Sequence, residues 1–283
     1  MRSSIARLKS RATKKALKKK VELVLVAGGD GTVGKIARRL VGSGVPLSVL
    51  PFGTANNLAR TLGFADSTVE GIVASLAEAR YRSFDIGCVS GASKRRYFLE
   101  GAGGGLFADY LRQRRAAAEK RPQTRSSRTG GELKQHILTL RRMLKSYKPR
   151  EWQMKLDGED ISGRYLIVEA MNIRAVGPVL TLAPQAKTDD GSLDLAIVRD
   201  EDRRLLCDFL EARLTNSQVE FPIPARPFRH LEICWDRAPL HLDDRLWPKK
   251  AGKRKGPRAV AITAEPAALT ILLPSAARRR RRR

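Results

Sequence analysis

The residues best able to do chemistry in this chain stand in two glycine-rich loops and one acidic run. The first loop is Gly28-Gly29-Asp30-Gly31-Thr32, the second centres on Gly53 and Thr54, and the acidic run holds Asp189, Asp190 and Asp194. Gly28, Gly29 and Gly31 let backbone come very close to a ligand. A loop that ends a strand and opens a helix presents N–H groups suited to phosphate. Asp30 would repel a phosphate unless a metal ion lay between them, whereas as an Asx-type turn residue it needs no ligand. The second loop adds Asn56 and Asn57, more polar groups than a tight turn requires. Aspartate before glycine in the acidic run reads equally as a turn.

The elements that must position these residues follow from periodicity. Residues 21–27 are rich in β-branched side chains and suit a strand buried on both faces of a parallel sheet. Val33, Ile36, Ala37 and Leu40 carry helical spacing over residues 32–41. The unit repeats, with residues 46–50 as strand, 51–54 as turn and 55–62 as helix. Ser67 and Glu70 form a capping-box pattern for a helix running to about Arg80. From Ser83 onward the runs become short and alternating. Trp152, Met154 and Leu156 alternate, Asp157-Gly158 turns, and residues 164–172 return as the partner strand. Strands are also expected at 193–198, 231–235, 240–242, 260–263 and 269–273, with helices at 135–145 and 202–214. The fold class is α/β: a Rossmann-like three-layer N-terminal domain over residues 1–84, lacking its first βα unit. A mostly antiparallel β-sandwich domain over 85–274 follows, and 275–283 form a basic tail.

The string GGDGT followed by PFGTANNLARTLG resembles the diacylglycerol kinase catalytic domain, a family of lipid kinases that also includes sphingosine and ceramide kinases. NAD kinases share the first string but not the second. SFDIGCV (83–89), YFLEGAGGGLFADYL (97–111) and the segment 168–198 ending in DDGSLDLAIV extend the resemblance. It implies ATP-dependent transfer of the γ-phosphoryl group to a lipid hydroxyl such as that of diacylglycerol, with ATP and Mg2+ as cofactors. By the same resemblance Gly28, Gly29, Asp30, Gly31, Thr32, Gly53 and Thr54 contact ATP. Asp30 is then a base or part of the magnesium network, and Asp190 holds magnesium with the carbonyls of Lys187 and Ser192.

Two departures qualify the implied activity. The family's late Asp-Gly-Glu motif, whose acid accepts the proton, is matched by Asp243-Asp244-Arg245. Arginine cannot accept a proton, so Asp243 or Asp244 must supply the base. The family also opens with a strand, an Asn-Pro-x-Ser-Gly loop and a helix, and only 20 residues precede Val21, fewer than the ~30 of a βαβ unit. The expectation is an absent opening unit, an exposed sheet edge and impaired catalysis. The alternatives are a non-catalytic nucleotide- or lipid-binding relic and an NAD-kinase-like enzyme.

Charge bears on partners. The net charge is +26 over 283 residues, and residues 1–20, 112–128, 249–258 and 278–283 carry +9, +6, +6 and +6 of it. The remainder is nearly neutral, so the basicity is expected in tails and loops. Such runs are solvated ends or attract anionic lipid headgroups at about 1 kcal/mol per basic residue. No aromatics interleave them to stack on bases, so no specific nucleic acid is expected. Residues 1–20 read as a helix with Ile5, Leu8, Ala12 and Ala16 on one face. No apolar run approaches the ~18 residues of a spanning helix, and no signal-peptide core follows the basic start. Cys88, Cys207 and Cys234 are widely spaced and suggest neither disulfides nor zinc. A cytoplasmic protein, peripherally associated with an anionic membrane surface and acting on a lipid substrate, is the resulting expectation.

Overall fold

The computed structural model describes residues 21–91, 94–120, 130–178, 180–215, 219–236, 238–248 and 256–275. The helix expected over residues 1–20 and most of the basic runs lie outside them.

Strand β1 (Val24–Gly28) leads into helix α1 (Asp30–Leu40), and β2 (Leu47–Pro51) leads into the short α2 (Asn57–Thr61). The two strands pair in parallel, Val24 opposite Leu47 and Gly28 opposite Pro51. The apolar stripe of α1 joins Val26, Val49, Phe84 and Ile271 in one core, which is what its 3.6-residue spacing provides. Strand β2 is buried from Leu47 to Leu50, as expected for a two-sided strand. Strand β1 departs from that expectation, because its second face opens to solvent at Leu25, 41% exposed, and at Ala27. Among the described residues β1 pairs only with β2. Helix α3 (Val69–Ala74) starts one residue later than expected: Thr68, not Ser67, caps it by accepting the Gly71 N–H at 3.0 Å. It gives way to a 3-10 turn, Ser75–Glu78.

The chain then builds β3 (Arg80–Ser90), β4 (Arg96–Phe98), β5 (Gly101–Gly105), α4 (Leu106–Lys120), α5 (Gly130–Leu144), β6 (Arg150–Trp152) and β7 (Met154–Leu156). Next come β8 (Glu159–Asp160), β9 (Gly163–Met171), β10 (Leu193–Arg199), α6 (Arg203–Thr215), β11 (Arg226–Phe228) and β12 (His230–Trp235). Strands β13 (Leu240–Leu242), β14 (Arg245–Trp247) and β15 (Arg258–Leu273) complete it. One sheet runs β1-β2-β15-β12-β7-β8, with β3 pairing β15 and β4. The other runs β11-β10-β9-β5-β13-β14, with β6 on β9.

The sheets pack face to face through Trp152, Tyr165, Val168, Leu193, Leu195, Ile233 and Val260. Alternate residues of β10 point the other way, where Ala196 and Val198 meet Leu106, Tyr110, Ile137, Leu206 and Phe209 from α4, α5 and α6. The second sheet is therefore covered on both sides.

Several expectations change. Residues 260–263 and 269–273 belong to one 16-residue strand, β15, interrupted by an irregularity between Glu265 and Leu269. That strand pairs with β12, β3 and β2 in turn, so the α/β unit and the sandwich share a sheet. Across the Asp157-Gly158 turn the partner of β7 is β8, while β9 crosses to the other sheet. The arginines at 112, 114 and 115 stand on α4 instead of in a loop. The sequence division at 84/85 falls inside β3.

Candidate active site

The two glycine loops meet backbone to backbone. A Cβ added at Gly29 would lie 2.8 Å from the Gly53 Cα, and one added at Gly53 would lie 2.4 Å from the Gly29 Cα. Only glycine permits that approach at either position. The Phe52 N–H donates to the Gly28 carbonyl at 3.2 Å and fastens the loops together. Asn56 shapes the second loop: at φ 50°, it accepts the Gly53 N–H at 2.8 Å and donates to the Gly53 carbonyl at 2.9 Å. Its role is local turn chemistry. The buried Oγ1 of Thr54 has no hydrogen-bond partner among the described residues. A cradle closed to any Cβ, at the N-terminus of α1, with an orphaned hydroxyl beside it, fits the phosphate chain of a nucleotide.

Behind the loops lies a cluster of carboxylates, with Glu100 and Asp243 buried. Asp30 begins α1 and accepts the Leu58 N–H at 3.3 Å, linking the first loop to α2. Burial raises its carboxyl above the usual range against the opposing effect of the Asn57 and Leu58 N–H groups. Glu100, just before β5, accepts from the Asn57 amide at 3.0 Å and the Gly177 N–H at 3.3 Å. Burial, then the charges of Asp30 and Asp243, hold Glu100 well above the ordinary carboxylate range.

Asp243 sits in the turn between β13 and β14 at φ 54°. Its Oδ1 accepts the Leu99 and Glu100 N–H groups at 2.8 Å each, and its Oδ2 pairs with Arg38 of α1. Burial raises this carboxyl too, with Arg38 opposing. Its neighbour Asp244 is different. That carboxylate is 56% exposed, lies against Gly31 so closely that a Cβ there would be 2.9 Å from Oδ2, and faces Arg245 at 3.4 Å.

Of the residues singled out from sequence, the structure brings Gly28, Gly29, Asp30, Gly31, Thr32, Gly53, Thr54, Asp243 and Asp244 to one place. Lys187, Asp190 and Ser192 lie on a separate loop. There Asp190 Oδ1 accepts the Ser192 N–H at 3.1 Å and its hydroxyl at 2.7 Å, an Asx turn. Asp194 is pushed up to about 6 by burial and by Asp190, with Lys187 opposing.

The loop is anchored from below by Asp85, whose two oxygens accept the Gly191 and Ala267 N–H groups at 2.7 Å each. Asn172 links that anchor to the buried cluster, donating to the Asp85 and Leu99 carbonyls at 3.1 and 3.0 Å. No group of three or more His, Cys, Asp or Glu side chains is arranged as a metal site among the described residues. One carboxylate with neighbouring oxygens still suits a magnesium ion that keeps several waters.

Sequence reasoning missed Arg38, Asp85, Glu100 and Asn172. The available signal was a lone polar or charged residue in an apolar or glycine run, as with Glu100 in YFLEGAGGG. All four act through partners far along the chain.

Comparison with known proteins identifies the family. The diacylglycerol kinase catalytic domain model matches residues 5–89, and the YegS C-terminal NAD kinase beta sandwich-like domain model matches residues 115–273. The chain belongs to the diacylglycerol kinase family of lipid kinases. It is 28% identical to a diacylglycerol kinase of Bacillus subtilis over 66% of this chain and 58% of that protein. It thus spans less than two thirds of that relative's length. It is 26% identical to a diacylglycerol kinase of Mycobacterium tuberculosis over 92% of this chain and 79% of that one. A relative from Klebsiella pneumoniae named "Probable lipid kinase YegS-like" is 30% identical over 66% of this chain and 59% of its own. A solved diacylglycerol kinase from Bacillus anthracis strain Sterne shares the fold, with TM-score 0.64 over 96% of this chain and 84% of that one at 19% identity.

Proposed function

We propose that this protein transfers the γ-phosphoryl group of ATP to a lipid hydroxyl of the diacylglycerol type, with magnesium. The observation that carries the reading is the contact of Gly29 with Gly53, which makes one cradle from two loops, with the open carboxylate of Asp244 against Gly31. When bound, ATP would supply the phosphoryl group, and Asp190 with the carbonyls of Lys187 and Ser192 would hold a magnesium ion that would supply positive charge. The chain's own residues do the rest. Gly28, Gly29, Gly31, Thr32, Gly53 and Thr54 orient the phosphates through backbone and hydroxyl groups. Asp30 ties the two loops by its bond to Leu58.

Asp244 accepts the hydroxyl proton. Asp243 has both oxygens engaged and Glu100 is buried against the Asn57 amide and the Gly177 N–H, so the exposed Asp244 is the carboxylate with lone pairs open to a substrate. Basic segments outside the described residues bring the protein to an anionic membrane from the cytoplasmic side. No helix among the described residues is long and apolar enough to cross one.

Isothermal calorimetry with Mg-ATP, then transfer assays with diacylglycerol and with NAD as acceptors, test this reading. Binding of Mg-ATP and labelling of the lipid alone is expected. Labelling of NAD would overturn the choice of acceptor, and a folded protein that binds no nucleotide would leave the non-catalytic alternative.

A further inference from the structure

Three residues stand side by side across the second sheet: His241 on β13, Gly103 on β5 and Glu169 on β9. On this face α4 covers the sheet, and its Phe107 ring meets the imidazole edge-on at 4.8 Å between centroids. His241 and Glu169 are both 0% exposed, and they touch over the glycine, Nε2 to Oε1, at 2.7 Å. Glycine is required between them. A Cβ at position 103 would lie 2.6 Å from Glu169 Oε2 and 2.0 Å from the Val168 carbonyl oxygen.

Packing stability does not account for this pair. Leu106, Phe107, Ile167 and Met171 make the apolar core on this same face, and an apolar pair of equal volume generally serves a core as well or better than a buried ion pair. What an apolar pair would lack is a donor for Asp243. The His241 Nδ1 lies 2.9 Å from the Asp243 carbonyl oxygen. A carbonyl only accepts, so Nδ1 carries the hydrogen and Nε2 faces Glu169. Burial alone would lower the imidazole; the Glu169 charge and these hydrogen bonds more than offset it and hold the ring above its usual value. The groups facing the ring are Glu169 from β9, Asp243 from its own turn and the apolar Phe107 from α4.

Asp243 needs that donor because it is held in a left-handed conformation. Its N–H donates to the Gly101 carbonyl at 2.8 Å, and its carboxylate is bound by Leu99, Glu100 and Arg38. The carbonyl completes the set, and the peptide it belongs to carries Asp244. A rotation of that peptide would swing Asp244 away from Gly31. We propose that the His241–Glu169 pair, spanning Gly103, is a positioning device that fixes the Asp243–Asp244 turn against the first glycine loop. Its catalytic consequence rests on Asp244 being the proton acceptor, while its structural consequence stands apart from that reading.

The test compares the wild type with Glu169→Gln and with the double variant His241→Leu, Glu169→Met. In Glu169→Gln the amide can donate to a neutral Nε2, so the Nδ1–H bond survives. Exchange of the Leu99 and Glu100 amides and kcat should stay within about threefold of wild type, since one neutral hydrogen bond replaces a charged one. In the double variant those two amides should exchange at least tenfold faster while Val168 keeps its protection. Its kcat should fall at least tenfold with KM for Mg-ATP little changed, the mark of lost positioning.

Unchanged protection at Leu99 and Glu100 in the folded double variant would overturn the proposal. Nitrogen NMR of His241 in the wild type gives a reading that needs no variant. A protonated Nδ1 at pH 8 supports the device, and a ring protonated only at Nε2 overturns it. A wild type without lipid kinase activity would refute the kinase reading alone, and exchange and NMR would still decide the positioning role.

Discussion

The half-buried Asp30 and the buried Glu100 and Asp243 are gathered at the glycine loops, whereas Asp189 and Asp190 stand exposed on the loop that enters β10. These three accept backbone N–H groups from α2, from the link between β4 and β5 and from the loop after β9, and one is paired with Arg38. Of the exposed two, Asp190 is satisfied locally by Ser192, and Asp189 pairs with a half-exposed Arg82 at 2.9 Å. The contrast separates two uses of a carboxylate. A buried one spends its lone pairs on holding backbone in place, and removing it strands the groups it satisfied. An exposed one keeps lone pairs for a cation or a proton and contributes little to stability. Asp244 belongs to the second kind by exposure and to the first cluster by position, and the proposed role as proton acceptor rests on that combination.

The contrast can be broken most forcefully at Asp243. Asp243→Ala leaves Arg38 unpaired and two N–H groups unmet, and a loss of about 3–5 kcal/mol is expected from breaking a buried pair. Urea unfolding measures it, and a loss comparable to a surface substitution would remove the scaffold role.

Glu100→Gln should act in the opposite direction and depend on pH. The folded protein holds Glu100 above its unfolded value, so the stability it contributes is complete below the ordinary carboxylate range and is lost as pH rises through the raised value. Glutamine loses nothing over that window. The variant's Tm should therefore gain on the wild type by several degrees between pH 5 and 8, and a constant difference would show that Glu100 is not held above its unfolded value.

The smallest effect is expected at Asp190. Asp190→Ala should change stability by only about 0.5 kcal/mol, as surface substitutions do, while weakening magnesium binding followed by calorimetry. An unchanged magnesium isotherm would leave the loop as a turn and nothing more.

Local signals carried much of this architecture. The helices at α1 and α6, the strands β10, β12 and β13, and both glycine loops were legible because each is written in a short window of spacing or turn residues. What escaped depends on distant partners. Two runs around 260 and 270 read as separate strands because the irregularity at Glu265 breaks their alternation, while pairing with β3 joins them. Helix α4 escaped because its start is hidden by the glycines of β5, whose smallness answers to Glu169 and Trp152 across the sheet. Asp243 was legible as a candidate acid, but its engagement with Arg38, 205 residues away in sequence, was not.

The most direct test of the central claim is transfer of labelled phosphoryl from Mg-ATP to diacylglycerol in anionic vesicles, comparing the wild type with Asp244→Asn. Transfer by the wild type is expected, with kcat in the variant reduced about 100-fold or more, as for loss of a general base, and KM for ATP nearly unchanged. Equal turnover by the two proteins, or no transfer by a folded wild type that binds Mg-ATP, would contradict it.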